Sequence, residues 1–462
     1  MSEDKKLNMP QSLLLLLLII GAVAVCIRLK TGGPMIGLFM SWIIIYLFCK
    51  VLRINYEHVV NGAYDAIRVV VPTLCLLMAI GVMIGTWLQS GTIATIIVGG
   101  LKLINPTWLL PLTLIFCAVL SLVTGTSYGS VGSAGVAMMA IGNAMGIHPG
   151  MEAGAGICGA MFGDKLSPLS DTTNLAPAVA GSKLNDHVRS MLWTTLPTFV
   201  ISLVLFVILG ISQTSGNYET GNLLTYIDAL QGEFKLGFIT LLPAIAIIIL
   251  LLCKVNAVVS LGLSAICAGA VSFFYQGATL QSIIRVAYNG YSTSIEEGIL
   301  QTILNRGGMS SMLQYVAIIC FAVGMGGMLD RLGVLGNLLN AIVNHINNDG
   351  SLIAASLLVG YVTSLISCSQ PMSHVLTGNM MKPLFKSRKI APEILSRTLE
   401  DAGTLSGPMI PWHGYCVYMS GTLGVAWSVF FPYLFLLYLT PLFSIFYGFT
   451  GISIRHTDDA QN

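Results

Sequence analysis

The chain has 462 residues, of which 55% are hydrophobic and only 9% charged, with a net charge of +2 and a mean hydropathy of +0.81. A water-soluble domain carries about 25% charged residues, so this composition belongs in a lipid bilayer. The near-balanced charge gives no footing for nucleic acid, and the ten cysteines, mostly inside apolar runs and without a Cys-x-x-Cys pair, read as small packing residues rather than disulfides or metal ligands.

After a short polar stretch, Met1 to Pro10, the first apolar run covers Leu13 to Ile27. Lys5 and Lys6 precede it as in a leader peptide, but the small-x-small letters Ala22-Val-Ala24 lie inside the run, so a retained first helix is expected. A crossing needs about 20 apolar residues. Candidate spans follow at 12–28, 34–52, 69–88, 108–123, 192–211, 236–253, 257–274, 312–332, 352–366 and 426–449. Shorter or Gly-rich pieces at 92–104, 131–145, 151–162, 334–346 and 375–381 read as half-helices, re-entrant hairpins or surface-lying helices. The expected fold is an all-α polytopic membrane protein with about 10–12 transmembrane helices. Polar connections fall near 50–68, 212–235, 275–311 and 382–397, the third mixed enough to be partly buried. The basic cluster Lys382, Lys386, Arg388, Lys389 and Arg397 places the last of them in the cytoplasm.

The densest chemistry lies in Phe162-Gly-Asp-Lys-Leu-Ser-Pro-Leu-Ser-Asp-Thr-Thr-Asn174, between long apolar runs. A carboxylate at bilayer depth costs roughly 2.5 kcal/mol or more and usually faces a cavity or an ion path. Proline and clustered hydroxyls break the helix there and free carbonyls for a cation. A second oxygen-rich break is expected around Thr124, Thr126, Ser127 and Ser130, beside Gly125 and Gly129.

The chain also echoes itself. At an offset of 242 residues, Trp87-Leu-Gln-Ser-Gly91 meets Leu329-Asp-Arg-Leu-Gly333, and Val123-Thr-Gly-Thr-Ser127 meets Leu365-Ile-Ser-Cys-Ser369. At 237, Phe162-Gly-Asp164 meets Leu399-Glu-Asp401. Each half reads as apolar span, hydroxyl-rich break, short helix, then Asp followed by Ser/Thr and Pro. This gives an N-terminal helix (1–33), a first repeat (34–211), a connecting segment (212–255), a second repeat (256–449) and a polar tail (450–462). Paired interrupted segments in two halves point to the binding site of a transporter, and an odd number of crossings per repeat makes the halves inverted.

Hard cations such as Na+ prefer oxygen ligands, and carboxylates add charge. Asp164 is the first candidate for a carboxyl shared by proton and cation, with Asp401 second and Asp171 third. A structural pairing of Asp164 with Lys165 or Arg189, and a capping role for Asp171, are the alternatives. Thr124, Thr126, Ser127, Ser167, Ser170, Thr172, Thr173 and Asn174 are candidate cation or substrate ligands in the first half, and Ser367, Ser369, Gln370, Thr404 and Ser406 in the second. Asp401 follows Glu400, and neighbours on a helix point about 100° apart, so only one need face the site. His374 and His413 are candidate proton relays, against the commoner reading of hydrogen-bonded structural histidines. Gly125-Thr-Ser-Tyr-Gly129 has the letters of a nucleophile elbow but follows an apolar span where that motif needs a strand, so no enzyme is expected. A passive channel fits less well than alternating access, because the breaks are paired and carry ionisable groups.

The segment Gly159-Ala-Met-Phe-Gly-Asp-Lys-Leu-Ser-Pro-Leu-Ser-Asp-Thr-Thr-Asn-Leu-Ala-Pro177 resembles the signature region of NhaC-type sodium/proton antiporters, of the ion-transporter superfamily. Thr124-Gly-Thr-Ser127, Glu400-Asp-Ala-Gly-Thr404 and Pro408-Met-Ile-Pro-Trp412 support it, and the likeness runs over nearly the whole chain. The resemblance implies two inverted repeats, each with a re-entrant hairpin and a broken helix, meeting at a midplane site. It also implies a homodimer and a multi-pass protein of the bacterial plasma membrane, with Na+ and H+ as transported ions and no cofactor. Some family members exchange malate and protons for lactate and sodium, which makes a small organic anion the alternative partner.

Overall fold

The structure is a computed structural model and describes residues 6–29, 33–214, 220–293, 301, 304–337 and 346–457. The first half runs α1 (Met9–Arg28), α2 (Gly33–Leu52), α3 (Tyr56–Gln89), α4 (Thr92–Leu103), α5 (Pro106–Thr124), α6 (Ser127–Ser130), α7 (Val136–Ala144), α8 (Pro149–Leu166), α9 (Asp171–Ala180) and α10 (Leu184–Thr214). It continues with α11 (Thr220–Glu233), α12 (Phe238–Leu252), α13 (Ala257–Val271) and α14 (Leu280–Asn289). The second half follows as α15 (Met309–Arg331), α16 (Asp349–Ser367), α17 (Gln370–Ser387), α18 (Pro392–Leu399), α19 (Gly414–Leu423), α20 (Trp427–Phe430) and α21 (Phe435–Thr450). Single π-helical stretches occupy Val131–Gly135, Ser272–Gln276 and Glu400–Thr404. Among the described residues there is no strand.

Eight of these helices are long and apolar enough to cross a membrane. The count reaches ten when the bent pairs Thr225–Glu233 with Phe238–Leu252 and Trp427–Tyr433 with Phe435–Thr450 are each taken as one span. The protein is therefore an all-helical, multi-pass membrane protein. Several segments read from sequence as polar connections are helical. Asn55 caps α3 by accepting the Glu57 N–H, so this helix starts at Tyr56 and absorbs most of 50–68. The 275–311 segment contains α14, and its Gly308 N–H bonds the Gly81 carbonyl at 2.7 Å, so this loop is seated against α3. The Gly-rich 151–162 and 375–381 pieces extend into the 18-residue helices α8 and α17.

Helix boundaries recur at one spacing. α5 and α16 begin and end 243 residues apart (106 to 349, 124 to 367), and both are followed by a left-handed residue, Gly125 and Cys368. α17 spans 370–387 where α6 to α7 span 127–144, and α19 spans 414–423 where α9 spans 171–180. Left-handed Gly181 and Gly424 close the latter pair at the same spacing. The structural register thus differs from the 242 and 237 offsets that letter matching gives. Asp164, two residues from the end of α8, corresponds to Gly407 and not to Asp401. Two helix pairs, α3 with α15 and α10 with α21, run antiparallel where they cross. α3 and α15 cross tightly at Gly62 against Gly327 and at Gly81 against Gly308, and α10 meets α21 at Trp193–Tyr447, Thr198–Thr440 and Phe206–Phe435.

The site is set by the approach of α5 and α8. A Cβ on Gly159 would sit 2.2 Å from the Leu114 carbonyl, and one on Gly163 2.2 Å from the Ala118 carbonyl. Small residues four apart let two membrane helices touch backbone to backbone. Ser121 completes the contact by donating its hydroxyl to the Ala160 carbonyl at 2.7 Å. That packing brings the C-terminal end of α8, with Asp164, level with the break after α5.

Candidate functional site

Two chain breaks have the same backbone. Gly125 (φ 70°) is followed by extended Thr126 (φ −148°, ψ 117°), and Cys368 (φ 55°) by extended Ser369 (φ −141°, ψ 122°). Glycine is needed at 125 for space as well as for its dihedral, because a Cβ there would lie 2.7 Å from the Leu169 side chain. The first break therefore packs directly on the Ser167–Ser170 turn that separates α8 from α9. Immediately after it, buried Ser127 donates its hydroxyl to the Asp164 carboxylate. Asp164 itself is only 6% exposed.

A second carboxyl lies opposite. Lys165 pairs with Asp401, both at 0% exposure, and Thr194 donates to the same Asp401 oxygen at 3.2 Å. Lys165 is thus engaged by the second half and not by its neighbour Asp164. The other Asp401 oxygen has no hydrogen-bond partner. Glu400 is also fully buried beside the Thr404 hydroxyl, without a well-formed hydrogen bond to either oxygen, and it stands within electrostatic reach of Lys165, Asp164 and Asp401. Both of the adjacent pair are enclosed, as is every residue from Glu393 to Pro408. Arg397, read from sequence as part of a cytoplasmic basic loop, is buried too, with Nη1 bonded to Ser453 (3.0 Å) and to the Ser190 carbonyl (3.4 Å).

Many of the hydroxyls singled out from sequence hold the backbone in its broken shape. Thr124 bonds the Leu120 carbonyl (2.8 Å), and Thr126 accepts the Gly129 N–H (3.3 Å). Thr173 bonds the carbonyls of Asp164 and Lys165 (3.0 and 3.1 Å), while Asn174 bonds those of Pro168 and Ser170 (2.9 and 2.7 Å). Ser167 accepts the Leu169 N–H (3.3 Å), and Ser170 and Thr172 share a bond of 3.1 Å. Asp171 is exposed in the first turn of α9, a favourable place for a negative charge, and lies within electrostatic reach of Asp164. In the second half Ser367 bonds the Ser369 carbonyl (3.2 Å), Ser406 the Gly403 carbonyl (3.2 Å), and Gln370 the Thr404 carbonyl (2.9 Å). The Ser369 hydroxyl is buried without a partner.

The histidines differ in what they do. His374 Nε2 meets the Thr404 hydroxyl at 3.2 Å, beside the π-helical stretch that carries Glu400 and Asp401. His413 caps α19, its Nδ1 accepting the Tyr415 N–H at 3.0 Å, which puts its own proton on Nε2. A third, His187, carried no signal in the sequence, yet it is fully buried and meets Ser396 at 2.8 Å.

Two further groups escaped the sequence reading. Glu152, 1% exposed in the first turn of α8, accepts the Thr113 hydroxyl at 2.5 Å. Tyr415, at the start of α19, is fully buried against Tyr128 with ring centroids 4.5 Å apart. Glu152 sits on the 151–162 piece and Tyr415 between the 352–366 and 426–449 spans, where no pattern of letters marks a site. Among the described residues no group of three His, Cys, Asp or Glu side chains is arranged to hold a metal ion. The oxygens gathered here are hydroxyls and single carboxylates, a set that suits a hard, loosely held cation.

Comparison with known proteins shows the family. The profile of the Na+/H+ antiporter family matches residues 159–452. The chain is 34% identical to the Na(+)/H(+) antiporter NhaC of Alkalihalophilus pseudofirmus, covering 99% of each chain. It is 32% identical to the Na(+)/H(+) antiporter NhaC of Bacillus subtilis, over 97% of this chain and 99% of that one. Identity is also 34% to the Malate-2H(+)/Na(+)-lactate antiporter of Bacillus subtilis, over 91% of this chain and 90% of that one.

Proposed function

Because the chain belongs to the Na+/H+ antiporter family, we propose that it exchanges Na+ for H+ across the membrane, with Asp164 as the carboxyl that the two ions share. The observation that carries this reading is the charge balance of the buried cluster. Three carboxyls, Asp164, Glu400 and Asp401, stand with two cationic side chains, Lys165 and Arg397, all of them buried, while buried Glu393 beside Arg397 is balanced by its own pairing with Arg455 at 3.4 Å. One negative charge is left over when every group is ionised, and an unpaired charge in a low-dielectric interior is costly. A single proton or a single Na+ closes the balance, so each ion excludes the other, which is the condition for one-for-one exchange.

Asp164 is the member of the cluster suited to the exchange. Asp401 is neutralised by Lys165, whereas Asp164 takes the Ser127 hydroxyl and no cationic side chain, and borders the turn where Pro168, Leu169 and Asp171 are exposed. Asp171 stands at that mouth as a carboxylate that attracts cations. The antiparallel crossing of equivalent helices supports two inverted repeats, whose interchange of conformation moves the mouth from one side of the membrane to the other. The organic-anion reading draws support from the malate/lactate relative, but the natural donor for a carboxylate substrate, Lys165, is held by Asp401.

Transport in proteoliposomes with an internal pH dye and an imposed sodium gradient tests this. Sodium-driven pH change without organic acid, abolished in Asp164→Asn, is the expected result. A pH change that appears only with malate or lactate present would transfer the assignment to anion exchange.

A further inference from the structure

The Asp164 site has an oxygen that no sequence pattern marks. The hydroxyl of Tyr415 is fully buried with the Ser127 hydroxyl as its polar neighbour, and it makes no well-formed hydrogen bond. It lies beside the hydroxyl of Ser127 and within electrostatic reach of the Asp164 carboxyl. Ser127 has already committed its proton to Asp164. A buried phenol left in this state loses its water hydrogen bonds without replacement, at a cost that native structures rarely tolerate without reason.

The surroundings hold this hydroxyl in place. The Tyr415 ring packs on Tyr128, which follows Ser127, with centroids 4.5 Å apart. Tyr418, one turn on, packs on the same Tyr128 ring at 4.5 Å and donates its hydroxyl to the Tyr128 carbonyl at 2.6 Å. The backbone at 415 is fixed by the His413 cap. The start of α19, from the second half, is thus clamped on α6, from the first, with one phenol oxygen aimed at the site and another used for the clamp.

We propose that the Tyr415 hydroxyl is a ligand of the transported cation, completing with Asp164 and Ser127 an oxygen shell drawn from both halves of the chain. The proposal rests on the Na+/H+ exchange reading. A lone pair of the phenol is then turned toward the cation, while its proton faces the oxygen of Ser127, whose own proton goes to Asp164. Such a shell also gives the cation a mechanical role, because its binding ties α19 to the break after α5.

Tyr415→Phe separates a ligand from a structural residue by sign. The ring and its packing stay, and the only group lost is a buried hydroxyl without a well-formed hydrogen bond. Thermal stability of the detergent-solubilised variant without sodium is therefore expected to equal or exceed that of the wild type, while the stabilisation on adding NaCl shrinks. In proteoliposomes the apparent KM for Na+ is expected to rise about tenfold, the scale of one lost interaction with a charge. Tyr418→Phe is the control, since it loses the bond to the Tyr128 carbonyl. It should lower stability without sodium and leave the KM for Na+ within about twofold. Tyr415→Phe with an unchanged KM, in a background where wild type shows sodium-driven proton movement, overturns the ligand role and leaves the exchange reading intact. So does a loss of stability without sodium equal to that of Tyr418→Phe. Wild type without any sodium response overturns both.

Discussion

Removing one partner of the Lys165–Asp401 pair tests the buried electrostatics most directly. Both side chains are at 0% exposure, so neither charge is screened by water when its partner goes. Breaking a pair of this kind by truncating one side costs about 3–5 kcal/mol, whereas replacing both by apolar residues of similar volume is neutral or stabilising. Asp401→Asn keeps an acceptor for Thr194 but leaves the ammonium facing Glu400 alone. Its loss should fall at the lower end of that range, since Glu400 is already within reach of Lys165. Lys165→Met leaves Asp401 and Glu400 as two neighbouring buried carboxyls and should cost at least as much. The double variant Lys165→Met/Asp401→Leu should recover most of the loss, giving a coupling of about 3 kcal/mol in a double-mutant cycle. Thermal unfolding of the detergent-solubilised protein at neutral pH gives the ranking. Single variants indistinguishable from wild type, or a double variant less stable than either single, would refute a fully desolvated pair.

Other substitutions probe the scaffold. Gly163→Ala should be strongly destabilising, because its Cβ would stand 2.2 Å from the Ala118 carbonyl, while Gly156→Ala, with its nearest neighbour at 3.7 Å, should melt like wild type. Gly125→Ala should cost more than about 1 kcal/mol, from its left-handed dihedral and its contact with Leu169, and transport should fall with it. His413→Ala should lose about 1 kcal/mol with the cap of α19, and His413→Asn should restore it, since Asn caps equally well. If His413→Asn folds normally but shows a shifted pH profile of transport, the histidine is a proton relay and the capping account is insufficient.

Composition alone placed the chain in a membrane, because 9% charge cannot clothe a soluble fold. Glycine, proline and hydroxyl clustering located both breaks and the Ser167–Ser170 turn, since those residue types govern local backbone geometry. What the letters left hidden lies where packing, not local preference, decides. Helix 392–399 carries Glu393, Ser396 and Arg397 and reads as a surface segment, yet it is enclosed by α9, α10, α16 and α17, so its polar face meets protein instead of water. The register of the two halves is likewise a property of helix ends: matching letters paired Asp164 with Asp401, whereas the backbone sets them six positions apart in their helices. Lys165 and Asp401 find each other across 236 residues, and Tyr415 reaches Ser127 only because α19 packs on α6. A sequence records which groups are present and how the nearby chain bends. Which of those groups share one buried cluster is fixed by contacts between helices distant along the chain, and those depend on shape complementarity that no local pattern encodes.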